Sequence, residues 1–288
     1  MHLRDIQRLN LALSQTDDAT LNHPGTSSTS SVQRAALSAR VLLDRLEVPA
    51  LNSYTPREQS QGLLTCLYQL QQMLCSMSGF SRASFAASTE HQAEFSILSM
   101  VKKHHQRQRT SPTILLCDET VLMDKSAAQA GYHILALTLE RLTQASVESV
   151  AAVVIPLPAL ANSGTHSGTH SASQFDKTIQ LSQQLQIPVV AIGSDSYASP
   201  SACGYAEKGV DIMMLDMGYM LGLPQQCVVM TEEKMSPYLA LPYVERNGES
   251  YRLADSLSQP FSIGPVNLSP GKPDVLLHSY LILSLTGT

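Results

Sequence analysis

The N-terminal third of the chain places apolar residues at helical spacing among polar ones. Across 32–48 they recur every three or four positions, and Pro49 ends this predicted helix because it has no N–H and clashes with the preceding turn. A second apolar stripe predicts a helix over 61–78, with Gly79 placed as its C-cap. The pattern therefore begins with helices rather than strands.

Beyond residue 110 the pattern changes to short apolar runs separated by helical segments. The runs are continuously apolar, which is typical of strands that are buried on both faces. Strands are predicted at 113–117, 133–139, 150–157, 188–193, 210–215 and 227–231, with helices at 126–131 and 175–185. This order predicts an α/β fold with a mostly parallel sheet flanked by helices.

The same patterns divide the chain into three stretches. Residues 1–31 form a helix and polar linker, residues 32–258 form the α/β domain, and residues 259–288 form a C-terminal tail segment whose apolar part, 275–285, docks on the core. Within the domain, the loop 160–173 repeats Ser-Gly-Thr-His. Its two histidines have no third ligand nearby in sequence, so a solvated insertion is favoured over a metal site.

Composition narrows the class of protein. The 288 residues are 43% hydrophobic and 15% charged, and the formal net charge is −5. These values exclude a disordered chain and a basic nucleic-acid binder. No apolar run approaches the ~20 residues that span a bilayer, and the start of the chain has no apolar region of the secretory type. Five scattered cysteines favour reduced thiols in a cytoplasmic protein.

Four short motifs follow one another along the chain. They read Tyr54-Thr55-Pro56 with Ser60-Gln61-Gly62, then Ser88-Thr89-Glu90 at a helix start, then Gly193-Ser194-Asp195 with Gly209-Val210-Asp211-Ile212, and last Leu221-Gly222-Leu223-Pro224. Together they resemble the P-protein of the glycine cleavage system, also called glycine dehydrogenase (decarboxylating).

The resemblance implies a fold and a division of labour. P-proteins contain two related halves of fold-type I pyridoxal-phosphate transferase architecture, and one half carries the lysine that forms the Schiff base. This chain resembles the N-terminal, lysine-free half (subunit 1 type), in truncated and divergent form. Eight residues beyond Asp211, where the catalytic half has its lysine, this chain has Tyr219. None of its seven lysines directly follows the 210–215 strand, and Lys234, in an exposed charged turn, comes nearest.

The resemblance also indicates candidate cofactor-binding residues. Asp195, at the end of a predicted strand, corresponds to the carboxylate that holds the pyridinium nitrogen protonated; alternatively it caps a turn. Ser88 and Thr89 are candidates for a phosphate cradle at a helix N-terminus. Because Glu90 would repel a phosphate, an ordinary helix cap is the favoured interpretation of these two residues.

The leading hypothesis is a degenerate P-protein-like subunit with a structural or regulatory role in glycine cleavage. It would hold no cofactor itself and would pair, through helices 32–48 and 61–78, with a pyridoxal-phosphate-bearing catalytic subunit or with a second copy of itself. Contact with nucleic acid or membrane is not expected. Two alternatives stay open: an active component of glycine dehydrogenase that needs a lysine-bearing partner, and a small-ligand binding module. Tyr54 and Gln61 are the candidate substrate-binding residues, and no catalytic residue or metal site is predicted.

Overall fold

A seven-stranded sheet lies at the centre of the protein, in a computed structural model that describes residues 28–43, 51, 55–157, 172–193, 204–221 and 223–286. Its strands are β1 Arg82–Ser84, β2 Ile114–Cys117, β3 His133–Ala136, β4 Val150–Pro156, β5 Val189–Gly193, β6 Ile212–Asp216 and β7 Cys227–Thr231. A separate hairpin pairs β8 Val244–Asn247 with β9 Ser250–Leu253. Of the helix and linker expected over 1–31, residues 1–27 lie outside the described residues, as does the Ser-Gly-Thr-His repeat.

The strands are arranged in the order β1-β7-β6-β5-β4-β2-β3. The pairs from β3 to β6 are parallel, whereas β7 is antiparallel to both of its neighbours, β6 and β1. β1 therefore runs in the same direction as β6, and the mostly parallel sheet predicted from the sequence is confirmed. We call the edge at which these parallel strands end the carboxyl edge, and the opposite one the amino edge.

Helices cover both faces of this sheet. They are α1 Ser28–Leu43, α2 Arg57–Ser78, α3 Glu90–Arg107, α4 Asp124–Ala130, α5 Leu139–Thr143, α6 Ala172–Gln184, α7 Tyr205–Lys208, α8 Met217–Leu221 and α9 Pro273–Thr286. Successive strand residues point to opposite faces. In β6, Met213 packs into the core that includes α2, α6 and α9, whereas Met214 packs into the core that includes α3 and α4. Two covered faces explain why the strands are apolar without alternation.

Local signals set the ends of the helices that border the site. α2 ends at Gly79, which adopts φ +81° and donates its N–H to the carbonyl of Cys75. α3 begins after Thr89, which has extended backbone angles and accepts the N–H of Gln92 through its hydroxyl. α9 is buried against α1 and α2, which accounts for its apolar sequence.

Some elements differ from those predicted. The helix predicted over 32–48 begins earlier, at Ser28, and the described part ends at Leu43. The strand predicted over 133–139 ends at Ala136 because Thr138 caps helix α5 instead. The apolar pattern also gives no sign of β1, which has only three residues, or of the β8–β9 hairpin, whose side chains are mostly exposed or half-buried.

Helix α2 is a core element rather than a surface one. From Ser60 to its end, Gln72 and Ser76 are its exposed residues. The helix is covered by α9, β1 and the β8–β9 hairpin, which pack against it. It therefore leaves little surface for the subunit contact expected of it, whereas α1 exposes Leu37 and Val41.

Candidate functional site

The carboxyl edge is where open α/β sheets usually bind ligands, and the reversed strand β7 determines what lies there. β6 ends at Asp216, which is paired with Cys227 at the start of β7. β1 ends on the other side of β7 at Ser84, and the chain continues through 85–88 into α3. The end of β6, the start of β7 and the N-terminus of α3 are thus neighbours at this edge.

The N-terminus of α3 is capped by hydrogen bonds among residues of its own first turn. Thr89 Oγ1 accepts the N–H of Gln92 at 3.3 Å, and Gln92 Oε1 accepts the N–H of Ser88 at 3.0 Å. This reciprocal arrangement is similar to a capping box, which satisfies N–H groups that are free at most helix starts. Ser88 and Thr89, the candidates for a phosphate cradle, act here as a helix cap.

A buried glutamine joins three chain segments at the same edge. Gln226, immediately before β7, has no exposed surface. Its Nε2 donates to the carbonyls of Phe85 at 2.9 Å and Ala87 at 3.0 Å, while its Oε1 accepts the N–H of Lys272 at 2.9 Å. Gln226 therefore ties the start of β7 to the loop before α3 and to the start of α9.

Asn267 also donates a hydrogen bond to the loop before α3. Its Nδ2 donates to the carbonyl of Ala86 at 2.6 Å and lies 3.3 Å from Gln92 Oε1. The three successive carbonyls of 85–87 thus all accept from side-chain amides of the protein itself. Neither Gln226 nor Asn267 is among the site residues predicted from the sequence. The available signal is the pair Gln225-Gln226 directly before the apolar run of β7.

Acidic side chains surround the start of β7. Burial raises the pKa of the Cys227 thiol, and the nearby carboxylates of Asp216, Glu90 and Glu94 raise it further, while Lys272 lowers it. Burial also raises the pKa of Glu94. Three carboxyl groups and one ammonium group therefore act on this point, which gives the edge beside α3 an acidic character.

Lys234 lies at the opposite edge of the sheet. Its Nζ is 2.6 Å from Asp211 Oδ1, and Asp211 Oδ2 accepts the N–H of Val189 at 2.8 Å. Asp211 and Val189 stand where β6 and β5 begin, so this ion pair belongs to the amino edge. Lys234 follows β6 at a short distance along the chain, but the length of the sheet separates it from the carboxyl edge.

Lys272, just before α9, is the lysine that reaches the carboxyl edge beside β7. Its Nζ donates to the carbonyl of Gln225 at 2.8 Å. The other lysines are engaged or exposed elsewhere: Lys102 donates to the carbonyl of Ala130, Lys103 to that of Ser262, Lys208 pairs with Asp176, and Lys125 and Lys177 are exposed. After β6 the chain enters α8, which contains Tyr219.

Three candidate residues remain from the sequence, and the structure describes one of them. Tyr54 and Asp195 lie outside the described residues. Gln61 is described, and both ends of its amide bind one residue of β9: Oε1 accepts the N–H of Tyr251 at 2.8 Å, and Nε2 donates to its carbonyl at 2.9 Å. Gln61 thus imitates a strand partner and holds the hairpin against α2.

Two histidines near the end of α3 lie beside the Lys234 ion pair at the amino edge. Burial lowers the pKa of His104 to about 4, helped by the positive charges of His105 and Lys234. Burial also lowers the pKa of His105, although the hydrogen bond from its Nε2 to the carbonyl of Ala151 opposes this. The ring of Tyr238 packs edge-on against His104. Both imidazoles are therefore held in a setting that favours the neutral form.

We expect the protein to lose stability as the pH falls from 6.5 to about 4. In this range the unfolded chain binds protons at these histidines that the folded chain does not bind, so the free energy of unfolding decreases. His104→Gln removes one of the two groups and should reduce this decrease by about 1–2 kcal/mol, after allowance for partial exposure. Urea denaturation across this pH range measures the difference, and identical pH slopes for wild type and variant would contradict it.

Two classes of feature are absent from the described part of the chain. No helix there combines the length and the apolar character that a membrane span requires. Nor do three or more His, Cys, Asp or Glu side chains come together there as ligands for a metal ion.

Curated relatives match most of the chain. A probable glycine dehydrogenase (decarboxylating) subunit 2 from Nitrosococcus oceani is 26% identical over 250 residues, which are 81% of this chain and 50% of that protein. The protein of the same name from Methylococcus capsulatus is 25% identical over 266 residues, 86% of this chain and 53% of that protein. The chain thus spans about half the length of the curated relatives it matches. Both are named subunit 2, whereas the motifs suggest the subunit 1 type.

Solved structures agree on the fold. The glycine decarboxylase (P-protein) of the glycine cleavage system, in an inhibitor-bound form, matches with a TM-score of 0.56 and 16% identity over 88% of this chain and 58% of its own. The ornithine δ-aminotransferase of Plasmodium falciparum matches with a TM-score of 0.53 and 12% identity over 92% and 59%. No family model matches the chain. Together, the order of the motifs, the sheet with its reversed β7 and these relatives show that the chain is related to the glycine-decarboxylating P-protein and has the fold-type I architecture of pyridoxal-phosphate-dependent enzymes.

Proposed function

We propose that this chain is a non-catalytic subunit of a glycine-decarboxylating P-protein assembly and has no Schiff-base lysine of its own. The observation that carries the proposal is the distribution of its lysines. None comes directly after β6, where the chain has Tyr219 at the eighth position beyond Asp211. A phenol cannot replace an amine in condensation with the cofactor aldehyde, so the covalent step needs a lysine from another subunit.

The relatives support an assembly of more than one kind of subunit, because their names specify a numbered subunit. Pyridoxal phosphate, bound by a lysine-bearing partner, supplies the electron sink for decarboxylation of an amino acid. This chain contributes a folded surface with a structural or regulatory role, and a second copy of itself is the other partner considered.

The described cysteines are unpaired, which supports the expected cytoplasmic location.

The first test is reductive trapping on the purified protein. After incubation with pyridoxal phosphate and reduction with borohydride, we expect no adduct specific to one lysine, because no amine lies at the position after β6. Lys272→Arg is the matched control, since Lys272 is the lysine at the carboxyl edge beside β7. An adduct that maps to Lys272 in the wild type and disappears in the variant would overturn the proposal.

The second test distinguishes a supporting subunit from an obligatory active component. Glycine decarboxylation by a lysine-bearing P-protein-type subunit is measured alone and after addition of this chain. A partner that is active alone and becomes more active or more stable supports the structural or regulatory role. A partner that is inactive until this chain is added favours the active-component alternative, and a partner that neither binds nor responds contradicts both.

A further inference from the structure

We infer that the carboxyl edge beside β6 and β7 is filled by the protein's own side chains and excludes the phosphate end of a pyridoxal-phosphate-type cofactor. This inference deepens the proposed function, on which it rests. The proposed function concerns a missing amine, whereas the inference concerns binding without any covalent bond. The two can be tested separately, because a phosphorylated pyridine can bind a fold-type I pocket through its phosphate alone.

Two of the N–H donors at the start of α3 are already engaged within the protein. A helix N-terminus binds an anion through free N–H groups and its positive dipole end. In α3 the N–H groups of Ser88 and Gln92 are bound to Gln92 Oε1 and Thr89 Oγ1 within the same turn. Glu90 adds a carboxylate to that turn, and its negative charge, which already interacts favourably with the helix dipole, would repel a phosphate.

The loop that leads into α3 is closed on its other side. Its carbonyls 85–87 accept from Gln226 and Asn267, and Gln226 is fully buried. A loop held by these amides is not free to turn its N–H groups toward a ligand, because each rotation would break bonds that are buried away from water. The backbone carbonyls of this loop are therefore hydrogen-bonded within the protein, and these bonds hold the loop in place.

The start of α9 also fills the space in front of this loop. Gly271, with φ +115°, approaches so closely that a Cβ atom there would lie 2.8 Å from the carbonyl oxygen of Phe85 and 3.0 Å from Gln226 Nε2. There is no room at this contact for even a methyl group. A phosphate group is much larger than a methyl group, so it cannot enter between α9 and the loop without displacing one of them.

The charge of the edge acts in the same direction. Glu90, Glu94 and Asp216 act together on the Cys227 thiol, against the single ammonium group of Lys272. A phosphate dianion placed beside the first turn of α3 would meet this acidic group in a partly buried setting, where the repulsion is poorly screened. The existing hydrogen bonds, the lack of space and the negative charge all oppose binding of a phosphate group at this edge.

The direct test uses pyridoxine 5′-phosphate, which has the ring and phosphate of the cofactor but no aldehyde. Titration of the full chain in a calorimeter should give no saturable binding up to about 1 mM ligand. Saturable binding of one molecule per chain with a Kd below about 0.1 mM would overturn the inference. Because this probe cannot condense with an amine, its result does not depend on the missing lysine.

A second experiment separates the inference from the proposed function. Tyr219→Lys restores an amine at the eighth position after Asp211, and a melting curve establishes that the variant is folded. If the edge is closed, the variant forms no stoichiometric adduct with pyridoxal phosphate after reduction. A stoichiometric adduct at position 219 in the variant alone would overturn the closed edge and leave the proposed function intact. A specific adduct in the wild type would overturn the proposed function instead. If the variant does not fold, the titration of the wild type decides.

Discussion

Gln226→Ala is expected to destabilise the protein by about 3–5 kcal/mol. The reason is the number of buried groups that lose their partner at once. The carbonyls of Phe85 and Ala87 and the N–H of Lys272 would all be left without the amide that now binds them. Each buried unsatisfied group costs about 1–3 kcal/mol, and the cavity left by the side chain adds to this.

Chemical denaturation of wild type and variants measures this loss. Gln225→Ala is the matched control, because the neighbouring Gln225 is exposed and contributes its backbone carbonyl, not its side chain, to the Lys272 contact. We expect this control to change stability by less than about 0.5 kcal/mol. Gln226→Glu keeps the shape but removes the donors, and it should lose most of what Gln226→Ala loses. Equal effects at 225 and 226 would contradict the role assigned to Gln226.

Gly218→Ala should destabilise the protein by about 3 kcal/mol or prevent normal folding of the segment between β6 and β7. A Cβ atom at Gly218 would lie 2.3 Å from the carbonyl oxygen of Pro224 and 2.7 Å from the Cα of Gln225. Both contacts are with backbone, which cannot rotate away as a side chain can. The N–H of Leu223 also donates to the Gly218 carbonyl at 2.7 Å, so the two segments are held together at this point.

The control for crowding is Gly248→Ala, in the turn of the β8–β9 hairpin. Nothing lies within 4 Å of a Cβ atom there, but φ is +64°. This variant should therefore show only the cost of a left-handed backbone, about 1–2 kcal/mol. Thermal unfolding of both variants compares crowding with backbone strain. A Gly218→Ala protein as stable as Gly248→Ala would show that the segment moves aside at little cost.

The central sheet can be predicted well from the sequence, because its strands have an unusual composition. Strands β4 to β7 have almost no polar residue, and a short apolar run bounded by turns has few other uses in a globular fold. Likewise Thr89 and Gly79 are effective signals, since a cap acts through neighbouring residues only. Local chemistry therefore gives the apolar strands, the ends of these helices and the fold class.

The arrangement at the carboxyl edge depends instead on contacts between distant residues. Lys234 follows β7 closely in sequence but lies at the amino edge, because β7 runs antiparallel and carries the chain away from the site. Lys272 is much further along the chain, yet the start of α9 brings it to Gln225. Strand direction is not encoded in apolar periodicity, so the two lysines cannot be ranked without the topology.

The position of β1 in the sheet has a consequence for biosynthesis. Its sheet partner is β7, whose preceding residue Gln226 is bonded to Phe85 across 141 positions of sequence. A nascent chain on the ribosome therefore cannot complete the β1 side of the sheet until β7 has emerged, although most of the parallel strands are already available for pairing. Contacts between segments so far apart in sequence slow folding and prolong the exposure of apolar surface. During translation the apolar residues around β1 thus stay without their final partner until β7 has been made.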